Sequence, residues 1–316
     1  MNTTLVADIG GSNTRLAVAG RTGRPEHIHA FANDSVTGLV AEIAAYIARM
    51  DKLDQRPDAA VLAVAGPVHG RRIMLTNRAW EIDLDAIQEE FSFRYVEGLN
   101  DFEALAWGLP WFEPEDVREL GHPLPVPNGP KAVLGPGTGL GVAALVSEGH
   151  SWFALATEAG HMSFGPSTDE EWTVFARIAK QVEAISAETI LSGPGLERLY
   201  RAMHPEHPAL PAHAIEAAAT KGEAAAVATV GLFVRLLGRF AGDVALTFKA
   251  MGGVYIAGGV AAKLGRRIDS AAFRKAFVKH PPHHHLLEAI PTFLITCQEP
   301  GLYGCAAYAE HAVGEY

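Results

Sequence analysis

A glycine-rich turn between two apolar runs constrains the fold most strongly. It lies in VADIGGSNTRLAVA, residues 6–19. The apolar run before the glycines predicts a short buried strand, and residues 16–19 predict a second strand rather than a helix. A dinucleotide-binding turn and a Walker A loop both open a helix, and neither spacing is present. The turn is therefore predicted to be a hairpin. It is either a plain surface hairpin or one whose glycines let a ligand approach the backbone.

The pattern of apolar run, glycine-rich turn and apolar run is repeated in AVLGPGTGLGVAALV, residues 132–146. An apolar strand again precedes a glycine-rich turn, which carries Thr138, and a second apolar strand follows. Chance similarity between two glycine turns is the alternative, but an internal repeat of this kind is a signal at the level of the fold. We expect two domains that each begin with a glycine hairpin, and the two hairpins to clamp a chain of phosphates from both sides.

The rest of the chain alternates helical and strand patterns. GLVAEIAAYIARM has apolar residues at helical spacing, and the apolar run AAVLAVAG follows it as a strand. Prolines crowd residues 110–130 and predict a domain boundary there. Further on, a strand at 254–257 ends in Gly258 and Gly259 before another helix, which offers a flat backbone surface to a nucleotide. The order predicts an α/β protein.

Composition excludes several classes of protein. The chain of 316 residues has 36 acidic against 26 basic residues and a formal charge of -10, which argues against nucleic-acid binding. Its two cysteines, Cys297 and Cys305, cannot form a disulfide framework or a four-thiolate zinc site. Charged residues interrupt the apolar tract at 224–246, which predicts a buried helix rather than a membrane span. With no leader pattern visible, we expect a cytoplasmic protein without membrane or nucleic-acid partners.

The motifs together resemble a known superfamily. D-x-G-G-[ST]-N-x-R in the first hairpin, G-x-G-T-G-x-G in the second and the Gly-Gly strand end are similar to sugar kinases, actin-like proteins and chaperone ATPases. LTNRAW, LNDFEALAWGLP, TEAGH and SAETILSGPGL resemble bacterial glucokinases over nearly the full chain. The zinc-binding cysteines of the repressor and open-reading-frame kinase branch are absent, which points away from that branch.

The resemblance implies a fold, an activity and an assembly. The fold is α/β, the two-domain actin-like (ribonuclease H-like) sugar-kinase fold with an interdomain cleft. Residues 1–110 plus about 302–316 would form the small domain and residues 111–301 the large one. The activity is ATP-dependent phosphorylation of glucose at the 6-hydroxyl, in a homodimer. Because water competes with the sugar as acceptor, we expect closure of the cleft to depend on the sugar.

The resemblance also implies which residues bind the nucleotide. Those that match the first phosphate loop, the second loop and the adenosine motif are, in that order, Asp8, Ile9, Gly10, Gly11, Ser12, Asn13 and Thr14; Gly137 and Thr138; Gly258 and Gly259. A carboxylate beside phosphates would repel them unless a cation stood between. We therefore assign Asp8 to Mg²⁺, through a water molecule.

The sugar-binding positions of the family fall on Asn100, Asp101, Glu158, His161 and Glu188. Asp101 matches the catalytic base. It starts a helical tract, and the helix dipole there is expected to favour its ionised form. Asn100 is also an ordinary helix N-cap, a role compatible with sugar binding. Carboxylates and an imidazole can bind paired sugar hydroxyls, which donate and accept.

Three features leave alternatives open. Pro136 inside the second loop restricts the turn and removes one N–H, and Ala159 departs from the family pattern within TEAGH. The run His283 to His285 is interpreted as a solvated loop rather than a metal site. Besides a glucokinase, the sequence is compatible with a kinase for another hexose or an amino sugar. A sugar-responsive regulator or an actin-like ATPase that transfers nothing is also compatible with it.

Overall fold

The structure, a computed structural model, describes residues 3–20, 23–75, 80–121, 126, 128–149 and 151–313. Residues 76–79 of the glucokinase-like motif LTNRAW lie outside these ranges. The chain divides into two compact units. Unit 1 comprises Met1–Glu113, Trp152–Ala154 and Cys297–Tyr316, and unit 2 comprises Pro114–Ser151 and Leu155–Thr296. The tract 152–154 had no signal in the sequence that would group it with unit 1.

Strands and helices alternate through both units. The strands are β1 (Thr4–Ile9), β2 (Asn13–Ala19), β3 (Pro25–Ala32), β4 (Ala59–Val64), β5 (Arg72–Met74), β6 (Glu81–Asp83), β7 (Val96–Asn100), β8 (Val117–Gly121), β9 (Lys131–Pro136), β10 (Leu140–Glu148), β11 (Ser151–Thr157), β12 (Gly253–Ile256) and β13 (Thr292–Ile295). The α-helices are α1 (Leu39–Asp51), α2 (Leu84–Phe91), α3 (Asp101–Gly108), α4 (Asp169–Ile178), α5 (Ala187–Ile190), α6 (Gly193–Met203), α7 (Ala212–Thr220), α8 (Ala224–Phe248), α9 (Gly259–Leu264), α10 (Ser270–Phe277), α11 (His284–Glu288) and α12 (Pro300–Val313).

Unit 1 is built on a five-stranded sheet of order β3-β2-β1-β4-β7. β1 pairs antiparallel with β2 and parallel with β4, which pairs parallel with β7. β4 is buried along its whole length, as its unbroken apolar run predicts for a central parallel strand. One face of α1 adds Ile43, Ile47 and Met50 to the core. The parallel arrangement brings the carboxyl ends of β1, β4 and β7 to one edge of the sheet, where the candidate site lies.

A close helix contact completes unit 1. Gly304 of α12 lies directly against the backbone carbonyl of Ala104 in α3, so a Cβ at position 304 would collide with it. Since a side chain there would force the helices apart, glycine at 304 sets their spacing. α3 in turn begins immediately after β7, at the edge where the candidate site lies.

Unit 2 has a six-stranded sheet of order β11-β10-β9-β12-β13-β8. The second hairpin, β9 and β10, is antiparallel, and β9, β12 and β13 are mutually parallel. The long helix α8 supplies Phe233, Leu237 and Phe240 to the core. By length and composition α8 could cross a membrane, but 61% of its most apolar window is buried, the pattern of a core helix.

The structure confirms the α/β fold class and both hairpins. It corrects the reading of the histidine run. His284 and His285 are exposed but helical, because they form the first turn of α11, where the His285 imidazole lies 3.2 Å from Glu288. Among the described residues, no group of three or more His, Cys, Asp or Glu side chains could hold a metal ion.

Candidate active site

The first glycine hairpin turns at residues 10–12. Ile9 and Thr14 face each other across the strands, and the N–H of Gly10 donates to the carbonyl of Asn13 at 3.0 Å. Ile9 is fully buried, and its carbonyl accepts from the N–H of Ala65 at 3.0 Å. Ser12 and Asn13 are exposed at the tip. The backbone near the tip is therefore accessible while its base is fixed inside the sheet.

Thr14 occupies a different position from the other polar residues of this hairpin. It is fully buried, and its hydroxyl donates to the Oδ1 of Asn33 at 2.8 Å. A hydroxyl held in this way supports the loop from inside rather than facing a ligand. Asn33 carried no signal in the sequence, because FANDS is typical of an ordinary turn.

Asp8 lies one residue before the end of β1, opposite Arg15 on β2. The Arg15 Nη1 lies 3.5 Å from the Asp8 Oδ2, and the Arg15 Nε makes a closer ion pair with Glu299. Burial raises the pKa of Asp8 to about 6; Arg15 lowers it and Glu299 raises it. Gly301 packs closely against the carboxyl group, since a Cβ there would lie 3.2 Å from the Asp8 Cγ. Asp8 is therefore a partly exposed carboxyl group beside the positive charge of Arg15.

The Asp8 carboxyl group fits a magnesium ion held through water. Mg²⁺ binds through one or two carboxylates, several waters and the substrate phosphates rather than in an all-protein cage. A single carboxyl oxygen donor beside a glycine turn matches that pattern. Arg15 does not neutralise Asp8 completely, because its closer partner is Glu299.

Asn100 and Asp101 lie where β7 passes into α3. The Oδ1 of Asn100 caps the helix, accepting from the N–H of Phe102 at 3.0 Å and of Glu103 at 3.4 Å, and Glu103 completes a capping box. The Nδ2 of Asn100 donates at 3.0 Å to the carbonyl of Gly66, which is the second residue beyond the end of β4. Asn100 is thus the predicted cap, and it also ties the ends of two parallel strands together.

Asp101 has a raised pKa, contrary to the expectation from the helix dipole. Burial raises it to about 6 and the negative charge of Asp8 adds to the increase, while hydrogen bonding from the N–H of Phe102 lowers it. That N–H donates to the Asp101 Oδ1 at 3.0 Å. Desolvation of the carboxylate raises the pKa by more than the helix N-terminus lowers it, because a helix terminus stabilises a charge by only about 0.3–1 kcal/mol at an exposed site. Asp101 is therefore a stronger base than the sequence predicted.

The second hairpin is supported from within unit 2. The N–H of Gly137 donates to the carbonyl of Gly139, and the N–H of Gly193 donates to the carbonyl of Gly137, each at 2.8 Å. Pro136 is buried as the last residue of β9, opposite Leu140, so it lies at the base of the turn. Thr138 is exposed at the tip, as a ligand-binding hydroxyl would need to be.

Glu188 contacts this hairpin directly. Its Oε2 accepts from the N–H of Leu140 at 2.9 Å, and a Cβ on Gly139 would lie 2.5 Å from the same oxygen. Glu188 is on the short helix α5, which is capped by Ser186. Sequence reasoning assigned Glu188 to the sugar alone and missed its contact with the second loop.

Glu158 and His161 project from one turn that adjoins α5. The N–H of His161 donates to the carbonyl of Glu158 at 2.9 Å, and their side chains approach to 3.9 Å. Both side chains are exposed, at 79% and 62%. The carbonyl of Met162 accepts from the N–H of Ala187 at 2.9 Å, which joins this turn to the residue before Glu188. The structure thus brings the three predicted sugar-binding residues of unit 2 to neighbouring segments.

Gly258 and Gly259 join β12 to α9, beside the second hairpin. Gly258 has a φ of +84°, and a Cβ there would collide with the carbonyl oxygen of Pro136. Only glycine satisfies both the backbone angle and the space. The predicted adenosine motif therefore packs on β9, the strand that leads into the second glycine hairpin.

The chain was compared with protein families, with curated proteins and with solved structures. The glucokinase family model matches residues 5–312, which include every predicted site residue. Glucokinases of Yersinia enterocolitica and Tolumonas auensis are each 35% identical, and the alignments cover 98% of this chain and 97% and 98% of theirs. A crystal structure of glucokinase from an Antarctic psychrotroph has a TM-score of 0.90 at 31% identity, covering 98% of this chain and 99% of that one. The fold is that of the actin-like, two-domain sugar kinases. The chain belongs to the glucokinase family.

Proposed function

We propose that this protein transfers the γ-phosphoryl group of ATP to the 6-hydroxyl of glucose, with Asp101 as the base. The relatives that match over nearly their whole length are named glucokinases. The observation that supports the chemistry is the position and pKa of Asp101. This carboxyl group begins α3, where burial raises its pKa to about 6. It is ionised at neutral pH and still basic enough to accept a proton.

The proposed proton transfer suits the reaction. Phosphoryl transfer passes through a loose transition state, so the protein mainly positions the reactants and neutralises charge. The Asp101 carboxylate would accept a hydrogen bond from the attacking hydroxyl and take its proton late in the transfer. The N–H of Phe102 holds one Asp101 oxygen at 3.0 Å and so fixes the orientation of the carboxylate.

Asn100, Glu158, His161 and Glu188 would bind the remaining sugar hydroxyls. Asn100 uses its Oδ1 for the helix cap and one N–H of its amide for the carbonyl of Gly66, so its second amide N–H is the group that would bind a ligand. Glu188 holds the N–H of Leu140 with one oxygen and would offer the other to the sugar. Carboxylates and imidazole that pair with hydroxyls reject analogues that leave one of these groups unpaired, whether a hydroxyl is missing or points in another direction. This selection would favour glucose over other hexoses.

The two glycine hairpins would hold the phosphates through backbone N–H groups, and Gly258 and Gly259 would adjoin the adenosine. Asp8 would hold Mg²⁺ through water, and the ion would neutralise charge on the phosphates. We also propose, from the family resemblance, a homodimer in the cytoplasm. Light scattering of the purified protein tests the dimer.

A coupled assay of ADP release tests the function. Glucose, fructose, mannose and N-acetylglucosamine are compared on the native protein and on Asp101→Asn. Asp169→Asn is the matched control, because Asp169 also begins a helix, α4, but is exposed. We expect glucose to be preferred, Asp101→Asn to lower kcat about a hundredfold or more, and the control to change nothing. Preference for another sugar would redefine the substrate. No sugar-dependent turnover, or full activity of Asp101→Asn, would contradict the proposal.

A further inference from the structure

Asn33 makes an unusually complete set of hydrogen bonds to the first phosphate loop. It begins the 3-10 turn Asn33–Ser35 after β3 and is fully buried. Its Nδ2 donates to the carbonyls of Gly10 at 2.8 Å and Gly11 at 3.2 Å, and its Oδ1 accepts from the Thr14 hydroxyl. Its backbone N–H donates to the carbonyl of Ser12 at 2.8 Å. One residue thus contacts four positions of the loop.

These bonds determine the direction of the loop N–H groups. In a planar trans peptide the N–H points opposite to the preceding C=O. Because the carbonyls of Gly10 and Gly11 point at the buried amide of Asn33, the N–H groups of Gly11 and Ser12 point away from it. Within the described part of the chain, neither N–H donates to a protein acceptor. Two adjacent N–H groups held in this way form a concavity suited to an anion.

We infer that Asn33 is a positioning residue for phosphoryl transfer: it fixes the Gly10–Ser12 backbone so that two N–H groups are directed at the nucleotide phosphates. The inference rests on the proposed function, since the ligand of this loop is taken to be the donor nucleotide. Glycine has a wide range of allowed φ and ψ angles, so the peptide planes of a turn with two consecutive glycines do not hold one orientation without support. The buried amide provides that support before the nucleotide arrives, which lowers the cost of binding.

An amide suits this position better than related side chains. It presents two N–H donors and an acceptor in one plane, and Asn33 uses all three functions. A carboxylate would keep the acceptor for Thr14 but place negative charge against two carbonyl oxygens. A serine would shorten the reach and leave at least one carbonyl without its donor. Asn33→Asp therefore changes the loop contacts while nearly preserving the volume of the side chain.

Steady-state kinetics and calorimetry on the full chain test this inference. Asn33→Asp is compared with Ser35→Ala, a control in the same turn whose hydroxyl bonds, among the described residues, only to the carbonyl of Ala32. Thr14→Val, which removes one bond to Asn33, provides a milder second variant. Each protein is measured for kcat, for KM of ATP and glucose separately, and for binding of a non-hydrolysable ATP analogue. Thermal unfolding records the folded fraction.

We expect Asn33→Asp to lower kcat/KM for ATP and affinity for the analogue about tenfold to a hundredfold, since misplacement near 1 Å has costs of that order. Thr14→Val should show a smaller effect of the same kind. KM for glucose should change less than twofold, and Ser35→Ala should match the native protein. A purely structural role would instead lower Tm while leaving both KM values and analogue affinity per folded protein unchanged. That result, or an equal effect on glucose, would overturn the inference while sugar-dependent turnover of the native protein still stood. Should Asn33→Asp not fold, the Thr14→Val analogue affinity decides.

Discussion

Asp101→Asn should make the protein more stable while it removes catalysis. The substitution replaces a partly buried, desolvated carboxyl group by a neutral amide of nearly the same shape. The Asn oxygen can still accept from the N–H of Phe102, the hydrogen bond that Asp101 makes. What disappears is the desolvated charge. The substitution also removes the repulsion between Asp101 and the negative charge of Asp8, which raises the pKa of Asp101. Loss of the desolvation penalty and loss of this repulsion both stabilise the folded protein.

The magnitude follows from the pKa of Asp101. Burial raises it from its ordinary 3.8 to about 6. The folded state therefore binds more protons than the unfolded state between these values, and the native protein loses stability as pH rises through them. Two pH units correspond to about 3 kcal/mol. Asp101→Asn lacks this penalty, so its free energy of unfolding should exceed that of the native protein by ~1.5 kcal/mol at pH 5 and up to ~3 kcal/mol at pH 8.

Urea denaturation at pH 5 and pH 8, followed by tryptophan fluorescence, measures this difference. Four of the five tryptophans, at 80, 107, 111 and 152, belong to unit 1, which contains Asp101. Asp169→Asn should stay within about 0.5 kcal/mol of the native protein at both pH values, because its carboxyl group is exposed. If Asp101→Asn is no more stable than the native protein at pH 8, the buried-charge argument is refuted.

Three further results are expected. In a pH series, kcat/KM for glucose should fall as pH decreases below about 6, where Asp101 becomes protonated, and a flat profile down to pH 5 would exclude it as the base. Glu188→Ala should raise KM for both ATP and glucose, since it leaves the N–H of Leu140 without its acceptor; an effect on glucose alone would contradict the hairpin contact. Gly258→Ala should lower the free energy of unfolding by about 2 kcal/mol or more, because of its φ of +84° and the collision with Pro136. Unchanged denaturation would contradict this.

Local sequence patterns predicted much of the fold. Both hairpins could be predicted because glycine turns between apolar runs are a short-range signal, and their repetition reinforced it. α8 was predicted to be buried from the charges that interrupt its apolar run, and most of its residues are in the core. Asn100 was predicted as a cap because capping depends on residues within one helical turn. These features are encoded by neighbours in the chain.

The parts of the site that depend on distant residues could not be predicted. Asn33 is 19 residues from Thr14, and nothing in its own segment indicates that they meet. Glu188 reaches a hairpin 48 residues earlier in the chain. The dipole argument for Asp101 had the wrong net sign because desolvation and the charge of Asp8 depend on the folded surroundings. These features depend on burial and on contacts between distant segments, which sequence motifs do not reveal.

The most direct test of glucose phosphorylation is ³¹P NMR of a reaction that contains the native protein, ATP, Mg²⁺ and glucose. We expect the γ-phosphate signal of ATP to be replaced, in equal amount, by one phosphomonoester whose coupling identifies the 6-position of glucose. Release of inorganic phosphate without a sugar ester, or an ester at another position, would contradict glucose 6-phosphorylation as the function of this protein.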